Sequence, residues 1–113
     1  MKVGEIYLAA FPFSDKATAK LRPVLLLAGP IGPHSEVLVA YISSVAPAQW
    51  LASDLQLDPA RPDGNATKLK VLSVLRLHKL ATIHASLIQR RLGHLSPPLR
   101  AEAEEKLRTL LEL

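Results

Sequence analysis

Through most of the chain the apolar residues come in short runs of β-formers, broken by glycine and proline. Val3 to Phe13 predicts a first strand, with Gly4 near its start. Ser14 to Lys20 is a short polar loop. Leu21 to Ala28 predicts a second strand; Pro23 lacks a donor there, which suits an edge or a strand beginning. Gly29 to Pro33 has turn chemistry, and Glu36 to Ser44 predicts a third strand, ended by Pro47. A short strand at Leu55 to Leu57 precedes a loop from Asp58 to Asn65. Leu69 to Leu77 alternates Lys70, Ser73 and Arg76 with Val and Leu, as a strand does. Ile83 to Leu92 fits a short helix, a strand, or both in turn. The best-defined helix ends the chain: Leu99, Ala103, Leu107, Leu110 and Leu111 fall on one face at helical spacing. Ser96 is placed to cap that helix and Pro97 fits its first turn. Several short strands and one closing helix predict a small, mostly antiparallel barrel or sheet.

Composition narrows the chemistry. The 113 residues fit one domain, and nearly half are apolar, so a single core is expected. No cysteine is present, which excludes disulfides, thiolate zinc sites and cysteine nucleophiles and fits a reducing cytosol. The start lacks the pattern of a signal peptide, and Gly29 and Pro30 break the longest apolar run far short of a membrane span. A cytoplasmic protein is expected. The net charge is +4, but the tail from Leu99 to Leu113 is net −1 and the remainder carries eleven bases against six acids. A body with that excess suits a polyanion, although an ordinary basic surface has the same composition.

The motifs are more specific. Gly4-Glu5-Ile6-Tyr7-Leu8 runs to Phe11-Pro12-Phe13-Ser14, then through a basic loop to Arg22-Pro23-Val24-Leu25-Leu26-Leu27. Tyr41-Ile42-Ser43-Ser44 ends a later strand. Ser73-Val74-Leu75-Arg76-Leu77-His78-Lys79-Leu80 leads on to Leu92-Gly93-His94-Leu95-Ser96 and the closing helix. In this order, over nearly the whole chain, these stretches resemble the MazF/PemK family of toxin–antitoxin ribonucleases. The resemblance implies one domain over 1–113, an SH3-like β-barrel with a C-terminal α-helix, and a homodimer. It further implies sequence-specific endonucleolytic cleavage of single-stranded RNA without a metal or other cofactor. A cognate antitoxin would block the RNA groove with an acidic tail. Ser43 departs from the family's usual Thr but keeps a hydroxyl. His78 and His84 stand where many relatives carry acidic residues.

Metal-free RNA cleavage is easiest by attack of the neighbouring 2′-hydroxyl on phosphorus. The enzyme must take up that proton, stabilise charge on the phosphoryl oxygens and protonate the leaving 5′-oxygen. The resemblance implies Arg22 and Ser43 as the catalytic pair. A planar guanidinium grips two phosphoryl oxygens but holds its proton too tightly to shuttle it, so the role expected of Arg22 is electrostatic. Lys16, Lys20, Ser44, Arg76 and Lys79 are the expected RNA contacts, with Lys68 and Lys70 further candidates for the backbone. The competing reading of each is a solvated surface group, and of Ser43 a strand-end hydroxyl. Trp50 could stack on a base, cover the core or meet a second copy. His78, His84 and His94 lack both zinc spacing and a companion carboxylate cluster. Two other functions remain open on the same resemblance: a non-catalytic nucleic-acid-binding module, and a toxin that inhibits DNA gyrase.

Overall fold

The computed structural model describes residues 1–11 and 20–113. Six strands, Glu5–Phe11 (β1), Lys20–Ile31 (β2), Glu36–Ser43 (β3), Asp54–Leu57 (β4), Ser73–His84 (β5) and Ile88–His94 (β6), precede one α-helix, Pro97–Leu110 (α1). All paired strands run antiparallel, in the order β4-β5-β3-β2-β1-β6. The fold is mainly β with a C-terminal helix, as expected. It is barrel-like rather than a closed barrel, because the edge strands β4 and β6 do not pair with each other.

Side chains alternate between the two faces of a strand, and here both faces are buried. Ile6, Leu25, Ala40, Ile42, Leu75 and Leu77 face one core, covered by Leu99 and Ala103 of α1. Tyr7, Ala9, Val24, Leu26, Val37 and Val39 face the other. That second core is closed by Ile83 at the end of β5 and by the short 3₁₀ turn Ala85–Leu87, so the chain covers with its own β5–β6 connection what one helix cannot. Each Val, Leu or Ile side chain excluded from water in this way contributes roughly 1.5–3 kcal/mol.

The helix ends where its apolar stripe ends: Leu99 and Ala103 are buried, whereas Leu110 and Leu111 are exposed. Ser96 holds the N-cap position, but its hydroxyl donates to the carbonyl of Asp63 at 2.6 Å and caps no helical amide. Pro97 and Pro98 supply no N–H in the first turn, so that hydroxyl is free to tie down the preceding loop. The stretch Ile83 to Leu92 is strand, 3₁₀ turn and strand in succession. The strand expected from Leu69 begins only at Ser73 and runs on to His84.

Glu5 fastens β1 to β6. Its carboxylate accepts from the Tyr7 hydroxyl at 2.5 Å and the Lys2 amide at 2.7 Å, and it pairs with Arg91. The Tyr7 hydrogen bond, then that of Arg91, lowers the Glu5 pKa from 4.5 to about 2. A lowered carboxylate stabilises the fold above its unfolded value, and the contribution fades as pH falls through the folded one. Wild type should therefore melt above Glu5→Gln at neutral pH, and the gap should narrow between pH 4.5 and about 2. Melting curves for the two proteins across that range check this; a gap independent of pH would contradict it.

Candidate nucleic-acid interface

A basic cleft opens where β2 and β3 part. Their ladder begins only at Val24, opposite Tyr41, while Lys20 to Pro23 remain paired to β1 on the other side. Pro23 thus lies just where its missing N–H interrupts no rung toward β3. Into the gap come Leu21, Arg22 and Pro23 of β2, Ile42 and Ser44 at the end of β3, Arg90 and Leu92 of β6, and the segment 68–71. The cleft holds about 310 Å³ and is lined by Arg22, Lys68, Lys70 and Arg90, with no carboxylate among the described residues.

The segment that brings the two lysines is firmly built. Thr67 is fully buried; its hydroxyl donates to Gly64 O at 2.7 Å and accepts from the Leu69 amide at 3.3 Å. Lys68 adopts φ +56°, which turns the chain, and Leu69 is buried in the core between two exposed lysines. The residues beneath pack against Gly93 of β6, where a Cβ would lie 2.3 Å from Ala66 O and 2.5 Å from Thr67 O. Only glycine permits that approach.

The expected site residues divide. Arg22 and Ser44 line the basic cleft together. Ser43 faces an adjoining cleft, and its hydroxyl donates to Val45 O at 3.2 Å and accepts from the Val45 amide at 3.1 Å. Lys20 is exposed at the start of β2 and does not line the cleft. Lys79 lies over the Tyr41 ring, 5.6 Å from its centroid. Arg76 is committed elsewhere: it donates to both carboxylate oxygens of buried Asp54, at 3.0 and 3.3 Å. Burial alone would raise the Asp54 pKa, but hydrogen bonds from Arg76 and the Leu51 amide outweigh it and hold the carboxyl below its usual range. Lys16 lies outside the described residues.

A larger cleft of about 610 Å³ separates β4 and the 58–63 loop from α1. Its charged lining is mostly acidic, with Asp54, Asp58, Asp63 and Glu102 against Arg61 and Lys106, so it repels a polyanion. No group of three or more His, Asp or Glu is close enough to hold a metal ion among the described residues. His84 has a structural task, accepting the Ser86 amide at 3.0 Å to cap the 3₁₀ turn.

Residues 2–111 match the family described as the PemK-like, MazF-like toxin of type II toxin–antitoxin systems. The chain belongs to this family. No curated protein matches its sequence. Solved structures of the PemK/MazF fold superpose over nearly its full length. The Mycobacterium tuberculosis toxin MazF-mt6 is 24% identical with a TM-score of 0.73, covering 96% of this chain and 97% of that one. MazF from Deinococcus radiodurans is 16% identical with a TM-score of 0.71, covering 100% and 97%. An endoribonuclease in complex with its cognate antitoxin, from a mycobacterial species, is 13% identical with a TM-score of 0.72, covering 98% and 94%. Within this PemK/MazF toxin, Arg90 is the cleft residue that sequence reasoning missed. It lies beside Arg91, and adjacent strand residues point to opposite faces, so Arg91 meets Glu5 while Arg90 enters the cleft. That alternation could have revealed it had Ile88–His94 been assigned as strand.

Proposed function

We propose that this toxin is a metal-independent endoribonuclease that cleaves single-stranded RNA in the Arg22 cleft by attack of the 2′-hydroxyl on phosphorus. The observation that carries the reading is the composition of the cleft: four cations, one exposed hydroxyl at Ser44 and no carboxylate among the described residues. Such a lining draws in a phosphodiester and stabilises the charge that grows on its oxygens in the transition state. Arg22 grips the phosphoryl oxygens through its guanidinium fork. The hydroxyl role expected of Ser43 falls to the Ser43–Ser44 pair. Ser44 opens onto the phosphate, and Ser43 holds the turn at Val45 that presents it. Lys68, Lys70 and Arg90 bind the flanking backbone, which gives affinity without sequence.

The same cleft suits the acidic tail of an antitoxin, because a negative peptide meets the same cations. A structure of similar fold is described as an endoribonuclease bound to its cognate antitoxin. Exposed Leu21 and Val71 at the cleft rim, and Val45 nearby, supply apolar surface for a symmetric second copy. Among the described residues no helix is long and apolar enough to cross a membrane.

Replacing the scissile ribose by deoxyribose should abolish cleavage and leave binding nearly unchanged, since the phosphates remain. Unimpaired cleavage of that substrate would exclude 2′-hydroxyl attack. Binding should also weaken with salt. Four single-strand phosphate contacts predict a slope of about −3 in log K against log salt, and Lys70→Ala should reduce it by about 0.7. An affinity indifferent to salt would remove the cations from the interface.

A further inference from the structure

Beside the Arg22 cleft lies a smaller one of about 220 Å³. The two share Ser44 and Ser73. The floor of the smaller cleft is a row across three strands. Ser43 of β3 lies opposite Val74 of β5, and Gln56 of β4 lies opposite the same Val74. With strands about 4.8 Å apart, Gln56 stands about 10 Å across the sheet from Ser43. Trp50 forms the wall, with 50% of its surface exposed.

None of the lining residues is charged, in contrast to the Arg22 cleft on one side and to the acidic cleft on the other, whose lining shares Trp50 and Gln56. The smaller cleft is therefore unsuited to a phosphate and suited to a neutral, planar group. Trp50 offers a π-face, and Gln56 offers one donor and one acceptor in a single plane. Neither the indole N–H nor the amide makes a hydrogen bond among the described residues. The span from Ser43 to Gln56 is of the order of a nucleotide's reach from its phosphate to its base edge. A glutamine amide pairs bidentately with N6 and N7 of adenine, and single-stranded RNA is commonly read by stacking plus hydrogen bonds to base edges.

We propose that this cleft holds the base next to the scissile phosphate, stacked on Trp50 and read by Gln56, with a preference for adenine. The inference rests on the nuclease reading and adds the origin of its sequence preference.

The test maps cleavage ends on a long mixed-sequence RNA for wild type, Gln56→Ala, Trp50→Ala and Trp50→Phe. Both positions are exposed, so the variants are expected to fold. Wild type should enrich adenine at one position beside the cut. Gln56→Ala should reduce that enrichment below about twofold and leave the other positions of the motif intact. Trp50→Ala should lower kcat/KM about tenfold or more, the usual scale for losing one stacked base, and Trp50→Phe should recover most of it. Trp50 is the chain's single tryptophan, so its fluorescence reports the surroundings of that one residue, where the smaller cleft meets the acidic one. An oligonucleotide carrying the mapped site with a scissile deoxyribose should quench it. Wild type that cuts without an adenine preference, a preference unchanged in Gln56→Ala, or fluorescence unmoved at saturation would each overturn the base pocket and leave the nuclease reading standing. Wild type that does not cut RNA would overturn both.

Discussion

Arg22→Ala should lower the rate of RNA cleavage about 10²–10³-fold, the usual result of removing one preorganised transition-state donor. The substrate should still bind, because Lys68, Lys70 and Arg90 remain in the cleft. Arg22→Lys should restore only part of the rate, since an ammonium is a point charge and cannot match a bidentate fork. Lysine at full activity would show that charge alone suffices and that the fork geometry is irrelevant. Single-turnover rates for the three proteins, with binding measured on a deoxyribose-blocked oligonucleotide, separate chemistry from affinity. Ser44→Ala should cost less than Arg22→Ala, because a neutral donor contributes less than a charged one.

The second large effect is on the scaffold. In Gly93→Ala the new methyl would meet the carbonyl oxygens of Ala66 and Thr67 at 2.3 and 2.5 Å. Both are backbone atoms in a segment fixed by the buried Thr67 hydroxyl, so neither can give way cheaply. Overpacking of this kind costs about 3 kcal/mol, which lowers Tm by roughly 10–20 °C in a domain of this size. Because the displaced segment carries Lys68 and Lys70, affinity for RNA should fall together with stability. Melting and binding measured on the same preparation check the link. A Gly93→Ala protein with wild-type Tm would mean that β6 does not hold the lysine segment.

The strands that form hairpins along the first part of the chain were legible because their apolar runs are bounded by Gly, Pro and Ser. Leu21–Ala28 and Glu36–Ser44 fall within a few residues of β2 and β3. The stretch from Leu69 was misread for a physical reason. Leu69 is buried and flanked by exposed lysines, which imitates strand alternation, yet Lys68 turns at positive φ and Leu69 is held by the Thr67 hydroxyl. β5 therefore begins only at Ser73, and the lysines serve the cleft instead of the sheet.

The same holds for the site. Arg22 and Ser44, expected from the family resemblance, line the cleft. Arg76 looked equally available in sequence. Its partner Asp54 is 22 positions away, and only the pairing of β4 with β5 brings them together. Arg90 was hidden because the boundary between β5 and β6 is a 3₁₀ turn capped by His84, a local hydrogen bond with no periodic signature.

RNA cleavage in the Arg22 cleft is proposed to use the protein's own cations. The most direct measurement is incubation of the purified protein with a long mixed-sequence RNA in excess EDTA, followed by end-group analysis of the fragments. Undiminished cleavage is expected, with 2′,3′-cyclic phosphate or 3′-phosphate on one side of each cut and 5′-hydroxyl on the other. Loss of cleavage in EDTA, or fragments bearing 5′-phosphate, would contradict it.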